Sequence, residues 1–264
     1  MAYPVVENTF TGVETLNALH HEITLPSGIT AGDLIAIFVS VIGESEIDNG
    51  YGTGCGINIV DYVSSNNWNV IRGGIAGVTN NNINLLYAIA YDSPYNYVTV
   101  RSQTWWRNSS YSTYWNVLAP CMISYVGFII SGHGITSGYN STFKHSSTSG
   151  NISNWITNAC PTIDDLVTDD YLWLLGVCAT DNDIATASPT GFSTIITAQG
   201  SNVATATSTS ACYRQYNTVS QYPQTSFSAP PSIYDSLLIR IPSGSGTNTY
   251  SGFGIFVHRN SINL

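Results

Sequence analysis

An all-β chain, folded as an antiparallel β-sandwich of jelly-roll type, is what three features of the sequence predict. Apolar runs of β-branched and aromatic residues recur along it, each bounded by Gly, Pro, Asn or Asp. No stretch keeps a 3.6-residue apolar stripe for more than about two turns. The two halves repeat one order of elements, as two strand sets would if neither could close a core alone.

The first strand expected is "DLIAIFVSVIG" (33–43), after "LPSGITAG", where Pro26, Gly28 and Gly32 stop a helix from starting. "NLLYAIAY" (84–91) follows the "TNNN" turn, "YVTVRS" (97–102) follows "DSPYN", and "CMISYVGFIISG" (121–132) closes the first half. The second half offers "DYLWLLGVCAT" (170–180), "FSTIITA" (192–198), "ATATSTSACYRQY" (204–216), "TSFSA" (225–229), "SLLIRIP" (236–242) and "GFGIFVHR" (252–259). In both halves an acidic turn leads into a long apolar strand with a polar, acidic exit. "NNWNVI" (66–71) then matches "PTGFSTII" (189–196), "LLYAIAY" matches "SACYRQY", and "YVGFIISG" matches "LLIRIPSG". Packed face to face, the two sets make one sandwich domain over 1–264. The alternative is two small β domains, 1–132 and 154–264, with the polar stretch 131–153 as their linker.

Charged residues are only 9% of the chain, against roughly 25% in an ordinary soluble domain, so solubility rests on Asn, Ser and Thr. One lysine, six arginines and sixteen acids leave a net charge of −9. Such a surface repels phosphate backbones and anionic lipid, which argues against nucleic-acid partners and membrane surfaces. No apolar run reaches the roughly 18 to 20 residues of a membrane span, so no membrane insertion is expected. "MAYPVVENTF" has no basic region followed by an apolar core and does not read as a secretory signal. An Asn/Ser/Thr/Tyr-rich, lysine-poor exterior without an export signal suits a virion component, made in a host cytoplasm and released by lysis.

The candidates for chemistry are sparse. Cys55, Cys121, Cys160, Cys178 and Cys212 show no C-x-x-C spacing, so they read as buried free thiols with no zinc or redox motif. Asp164, Asp165, Asp169, Asp170, Asp181 and Asp183 read as solvated turns, calcium being the rival reading, since the loop lacks the Gly and distal Glu of an EF-hand. His20 and His21 are adjacent, so in a strand they take opposite faces and cannot share a metal. His133, in "SGHGI", reads as a polar loop residue, and with no G-x-S-x-G elbow a nucleophile triad has no support. Asn108, Asn140 and Asn151 begin chance N-x-S/T triplets. No catalytic residue, metal or cofactor is expected, and the chain does not read as an enzyme.

One segment stands apart. "TWWRNSSYSTYWN" (104–116) keeps neither the strand period nor the helix period and reads as a long loop or strand-edge segment. Trp105, Trp106, Arg107, Tyr111, Tyr114 and Trp115 are the residue types enriched in protein interfaces, where they bury rigid area and keep a polar handle. Stacking on a glycan, with Arg107 and Asn108 bonding hydroxyls, and packing over an open end of the chain's own sandwich are the other two readings.

"HEITLPSGITAGDLIAIFVSV", then "NNWNVI", then "LLYAIAY" resemble structural proteins of tailed bacteriophages, in which a Leu-Pro turn leads through Gly-Asp-Leu into a strand followed by a Gly-Trp turn. Leu25, Pro26, Gly32, Asp33, Leu34 and Trp68 fit, Asn67 stands where the pattern has Gly, and "PTGF" (189–192) restores the Gly-aromatic pair. The resemblance spans residues 20–242 loosely and carries no functional residues. It implies a protein of the outer virion surface, a capsid decoration (cement) protein or a tail-associated, glycan-recognising module. Its partners would be the major capsid protein or tail proteins, and it would be a homo-oligomer for which a trimer is one arrangement.

Overall fold

The structure, a computed structural model, describes residues 3–42, 53–59, 68–72, 81–90, 96–107, 114–117, 121–135, 144–149, 171–180, 184–185, 188–189, 191–201, 206–216 and 233–244. Among these residues the fold is all-β and antiparallel, with no helix. The strands are β1 (Val5–Ala18), β2 (His20–Thr24), β3 (Leu34–Ile42), β4 (Thr53–Ile59), β5 (Asn69–Arg72), β6 (Asn81–Ile89) and β7 (Tyr97–Arg107). They continue as β8 (Tyr114–Val117), β9 (Cys121–Ser131), β10 (Lys144–Ser149), β11 (Tyr171–Thr180), β12 (Ile196–Ala198), β13 (Thr207–Tyr216) and β14 (Ile233–Pro242). Three sheets result, ordered β1-β9-β3-β6-β5, β10-β14-β11-β13-β12 and β2-β7-β4, with β8 added to β7.

The first of these sheets lies between the other two, and this is why its strands read as unbroken apolar runs. Along β3, Leu34, Ala36 and Phe38 pack with Leu172, Leu174, Leu237 and Ile239 of the second sheet. Their neighbours Ile35, Ile37, Val39 and Val41 pack with Ile23, Val98 and Val100 of the third. A strand with water on one face alternates apolar with polar, whereas one covered on both faces is apolar at most positions and keeps a polar residue only here and there, as at Ser40 and Ser124. Each large side chain buried here contributes about 1.5–3 kcal/mol of transfer free energy.

The two five-stranded sheets also have one topology. Set strand for strand against β1-β9-β3-β6-β5, the second sheet reads β10-β14-β11-β13-β12, so β3 corresponds to β11, β5 to β12, β6 to β13 and β9 to β14. These are the pairs of segments that repeat in the sequence. The sheets share one apolar cluster, and a single hydroxyl knot crosses it. Thr209 Oγ1 lies 2.7 Å from Ser40 Oγ, 2.8 Å from Ser124 Oγ and 2.9 Å from the Ser124 carbonyl. With one proton to give, Thr209 donates to one acceptor and accepts from a neighbouring hydroxyl, which keeps three fully or almost fully buried polar side chains satisfied. Across the same gap the Phe38 ring occupies the space beside Gly176, where any side chain would collide with it. Phe38 also meets Phe128 edge-on, with ring centroids 6.3 Å apart.

The outer face of the second sheet is covered by the chain that follows β11. Ala185, Phe192 and Ile195 pack on Trp173, Leu175, Val177 and Leu238. Ser210 Oγ accepts the Ala185 N–H, and Ser208 Oγ accepts the Gly200 N–H, which pins this cover to β13.

The sequence does not announce several strands. β1 is polar, half-exposed and bulged between Val6 and Asn8, so its alternation changes phase within the strand. β10 arises inside the polar stretch 131–153 and pairs along β14, from Lys144 opposite Arg240 to Ser149 opposite Asp235. Residues 225–229 and 252–259, both expected as strands, lie outside the described residues.

Candidate functional site: the aromatic hairpin

The aromatic segment falls at the far end of β7, beyond the part that pairs with β2. Residues 104–107 form an antiparallel hairpin with 114–117, setting Thr104 opposite Val117, Trp105 opposite Asn116, Trp106 opposite Trp115 and Arg107 opposite Tyr114. On its other side β7 pairs with β4, where Gly54 stands opposite Trp105 and Thr53 opposite Trp106. The stretch expected to keep no strand period is therefore a regular ladder. Its alternation is hidden because the adjacent Trp105 and Trp106 are both aromatic yet belong to opposite faces. Tyr111 and Asn108 lie outside the described residues.

Register divides the remaining candidates into two groups. Trp106 and Trp115 hold ladder positions of the same parity as Val98 and Val100, which are fully buried against the central sheet. Trp105, Arg107 and Tyr114 share the parity of Tyr97, Thr99 and Arg101, where Tyr97 is 46% exposed. Opposite these on β2 stand Thr24, Glu22 and His20, all exposed. The open face of the third sheet thus carries an exposed tyrosine, hydroxyls, one acid and two basic residues, Arg101 and His20, before it reaches the hairpin.

The other expectations resolve by position. His20 is exposed and His21 buried, so the two do take opposite faces. His21 Nε2 lies 3.9 Å from the Sγ of buried Cys121, and burial lowers the pKa of the ring, an effect that a hydrogen bond with the Ala18 backbone opposes. Cys121, Cys178 and Cys212 are buried thiols. Nothing is described of Cys160 or of the six turn aspartates, which lie outside the described residues, and of Cys55 only its place in β4. Among the described residues no three His, Cys, Asp or Glu side chains gather as metal ligands would. No helix among them is long and apolar enough to cross a membrane.

His133 holds more structure than a polar loop residue would. Its Nε2–H donates to the Gly32 carbonyl at 2.8 Å, while Nδ1 accepts the Ile135 N–H at 3.2 Å, which fixes one neutral tautomer. Alongside, the Gly134 N–H donates to the Pro242 carbonyl at 2.8 Å and the Gly244 N–H to the Gly132 carbonyl at 2.9 Å. The ring therefore sits where the turn before β3 meets the ends of β9 and β14. Burial lowers its pKa, against the pull of the Gly32 carbonyl and of Asp33. The Asp33 carboxylate is itself held by the Thr30 N–H at 2.8 Å and the Thr30 hydroxyl at 2.9 Å.

Sequence reasoning missed one further grouping. Pairing sets Lys144 opposite Arg240, Arg240 opposite Trp173, and Trp173 opposite Arg214, a row of three basic residues and an indole across four strands of the second sheet. No linear motif announces it, because each member comes from a different strand.

No protein-family model, curated protein or solved structure matches the chain.

Proposed function

We propose that the protein is a non-enzymatic structural component of a tailed-bacteriophage virion, a decoration protein that sits on the outer capsid surface and ties neighbouring shell subunits together. The observation that carries this reading is the β7–β8 hairpin, which places Trp, Tyr and Arg in one ladder at the end of a sheet whose outer face is open among the described residues. Those residue types dominate binding energy at protein contacts because they bury large rigid surfaces and keep a hydrogen-bonding tip. Few Lys and Glu side chains means less entropy lost and less charge desolvated at each contact. Repetition over a symmetric shell then turns weak contacts into strong cohesion.

In fold, the shared order of the two five-stranded sheets supports a duplicated sandwich. A jelly roll would pass consecutive strands between its sheets, whereas here each five-stranded sheet comes from one half of the chain, which favours duplication over the jelly-roll type.

A second reading keeps the hairpin and changes the partner. Trp105, Arg107 and Tyr114 share a parity with exposed Tyr97, and such a row would suit stacking on a surface glycan by a tail-associated module. Imaging of whole particles separates the two. Density for this chain at every capsomer, lost when Trp105→Ala and Tyr114→Ala are combined, is the result expected. A few copies confined to the tail, together with selective glycan binding abolished by the same substitutions, would replace the decoration reading.

A further inference from the structure

The first strand of the central sheet offers an unprotected edge. β1 runs from Val5 to Ala18 and, among the described residues, pairs only with β9, so it ends its sheet there. Its residues 5–15 are all exposed or half-buried, and two of the three large hydrophobic residues that stand exposed among the described residues, Tyr3 and Val5, lie at its head. Edge strands in soluble proteins are usually kept from pairing by lysine, proline, shortness or a bulge. β1 has no Lys, Arg or Pro along its length, and its one bulge near the head, between Val6 and Asn8, leaves Thr9–Glu14 in unbroken register.

The direction of the open hydrogen-bonding groups follows from one contact. The Thr9 N–H donates to Asn8 Oδ1 at 2.8 Å in an exposed setting, which points it away from β9. By strand alternation Thr11 and Val13 present their N–H and C=O groups on that same open side.

We infer that β1 pairs antiparallel with β1 of a second copy of this chain about a twofold axis at Thr11, joining two central sheets into one. Charge placement suits this register. With Thr11 opposite Thr11 of the other copy, Thr9 faces Val13, Phe10 faces Gly12, and Glu14 faces Asn8, so no like charges meet and a carboxylate meets an amide that can donate to it. Within each chain the Phe10 ring already fills the space beside Gly127 and the Tyr125 ring that beside Gly12, so this facing pair brings no new side chain between the two strands. The side chain of Asn8, which now caps the Thr9 N–H, is displaced by a backbone carbonyl and freed to meet Glu14.

The symmetry supplies its own test. Residue 11 would face itself, so Thr11→Lys and Thr11→Glu should each give monomers of the full-length chain by sedimentation, each with unchanged β-sheet circular dichroism. An equimolar mixture of the two should return the dimer, because lysine then faces glutamate. A wild-type chain that sediments as a monomer at about 100 μM, where a dimer of micromolar affinity is mostly assembled, overturns the proposal. So does an oligomer that survives both single substitutions, or a mixture that stays monomeric.

Discussion

The contact between Phe38 and Gly176 should be the point at which the two five-stranded sheets tolerate least change. A Cβ placed on Gly176 lies 2.5 Å from Phe38 Cδ1, 2.6 Å from Cγ and 2.8 Å from Cε1. Cγ is anchored one bond from the Phe38 Cβ, so a rotation of the ring cannot relieve that approach. The ring is fully buried and set edge-on to Phe128, and Phe128 is set edge-on to Tyr213 at 6.0 Å, so no neighbouring space receives it. Gly176→Ala therefore forces the sheets apart locally, and overpacking of this kind costs about 1–3 kcal/mol. For a chain of this size that is a fall in Tm of about 2–4 °C per kcal/mol. Phe38→Ala alone costs about 3–5 kcal/mol through lost transfer energy and the cavity left behind. The informative variant is the double one. Its new methyl enters space that the ring has vacated, so the Gly176→Ala penalty disappears and the cycle closes with a favourable coupling of about 1–3 kcal/mol, well above the roughly 0.5 kcal/mol scatter of independent sites. Urea unfolding of the four proteins measures it. A Gly176→Ala protein as stable as the wild type, or strict additivity, would refute the packing of the second sheet on the first through this pair.

The hydroxyl knot, the buried His21 and the half-buried His133 yield further expectations. Thr209→Val removes the hydroxyl that joins Ser40 to Ser124 and leaves their buried polar groups short of a partner, a loss of about 1–3 kcal/mol in urea unfolding. Asn84 is fully buried, and neither its Nδ2 nor its Oδ1 has a hydrogen-bond partner, so Asn84→Leu should be neutral or stabilising in the same assay. A clear destabilisation would show that the amide does have a partner. His133 and His21 both have folded pKa values lowered first by burial, below an unfolded value near 6.5. The unfolded chain then takes up protons that the folded chain refuses, so stability present above about pH 6.5 is lost as pH falls from there toward the folded values. His133→Gln should flatten the change in urea midpoint between about pH 7.5 and about pH 5, and an unaltered slope would count against His133.

What the sequence made legible is what burial on both faces writes into it. β3, β6, β9 and β11 read as long apolar runs because the sequence has nowhere else to put Leu34, Leu85, Phe128 and Leu174. The internal repeat was readable for the same reason, since strand order survives in the spacing of those runs. Edge and surface elements were not. β1 satisfies its few apolar contacts through Val6, Phe10 and Val13, whose alternation changes phase at the bulge, so no window of fixed period finds it. The hairpin hid itself by carrying tryptophan on both faces of one strand. The tie between His133 and Gly32 was illegible because it joins positions far apart along the chain through one ring nitrogen and one carbonyl.

The unequal treatment of the two halves bears on where function resides. Each five-stranded sheet has an apolar outer face that must be covered, and the chain covers them by different means. The second sheet receives the segment around Ala185, Phe192 and Ile195, pinned by serine hydroxyls. The first receives a whole additional sheet, built from β2, β4 and β7, whose inner face supplies Ile23, Val98 and Val100. A loop that covers a sheet has its outer surface dictated by turn chemistry, whereas a sheet that covers a sheet acquires a second face free of any packing duty. The aromatic hairpin extends that layer and has no counterpart among the described residues of the second half. The core thus accounts for the even-numbered valines of β7, whereas Tyr97, Thr99 and Arg101 take the face turned away from it and carry no share of that packing.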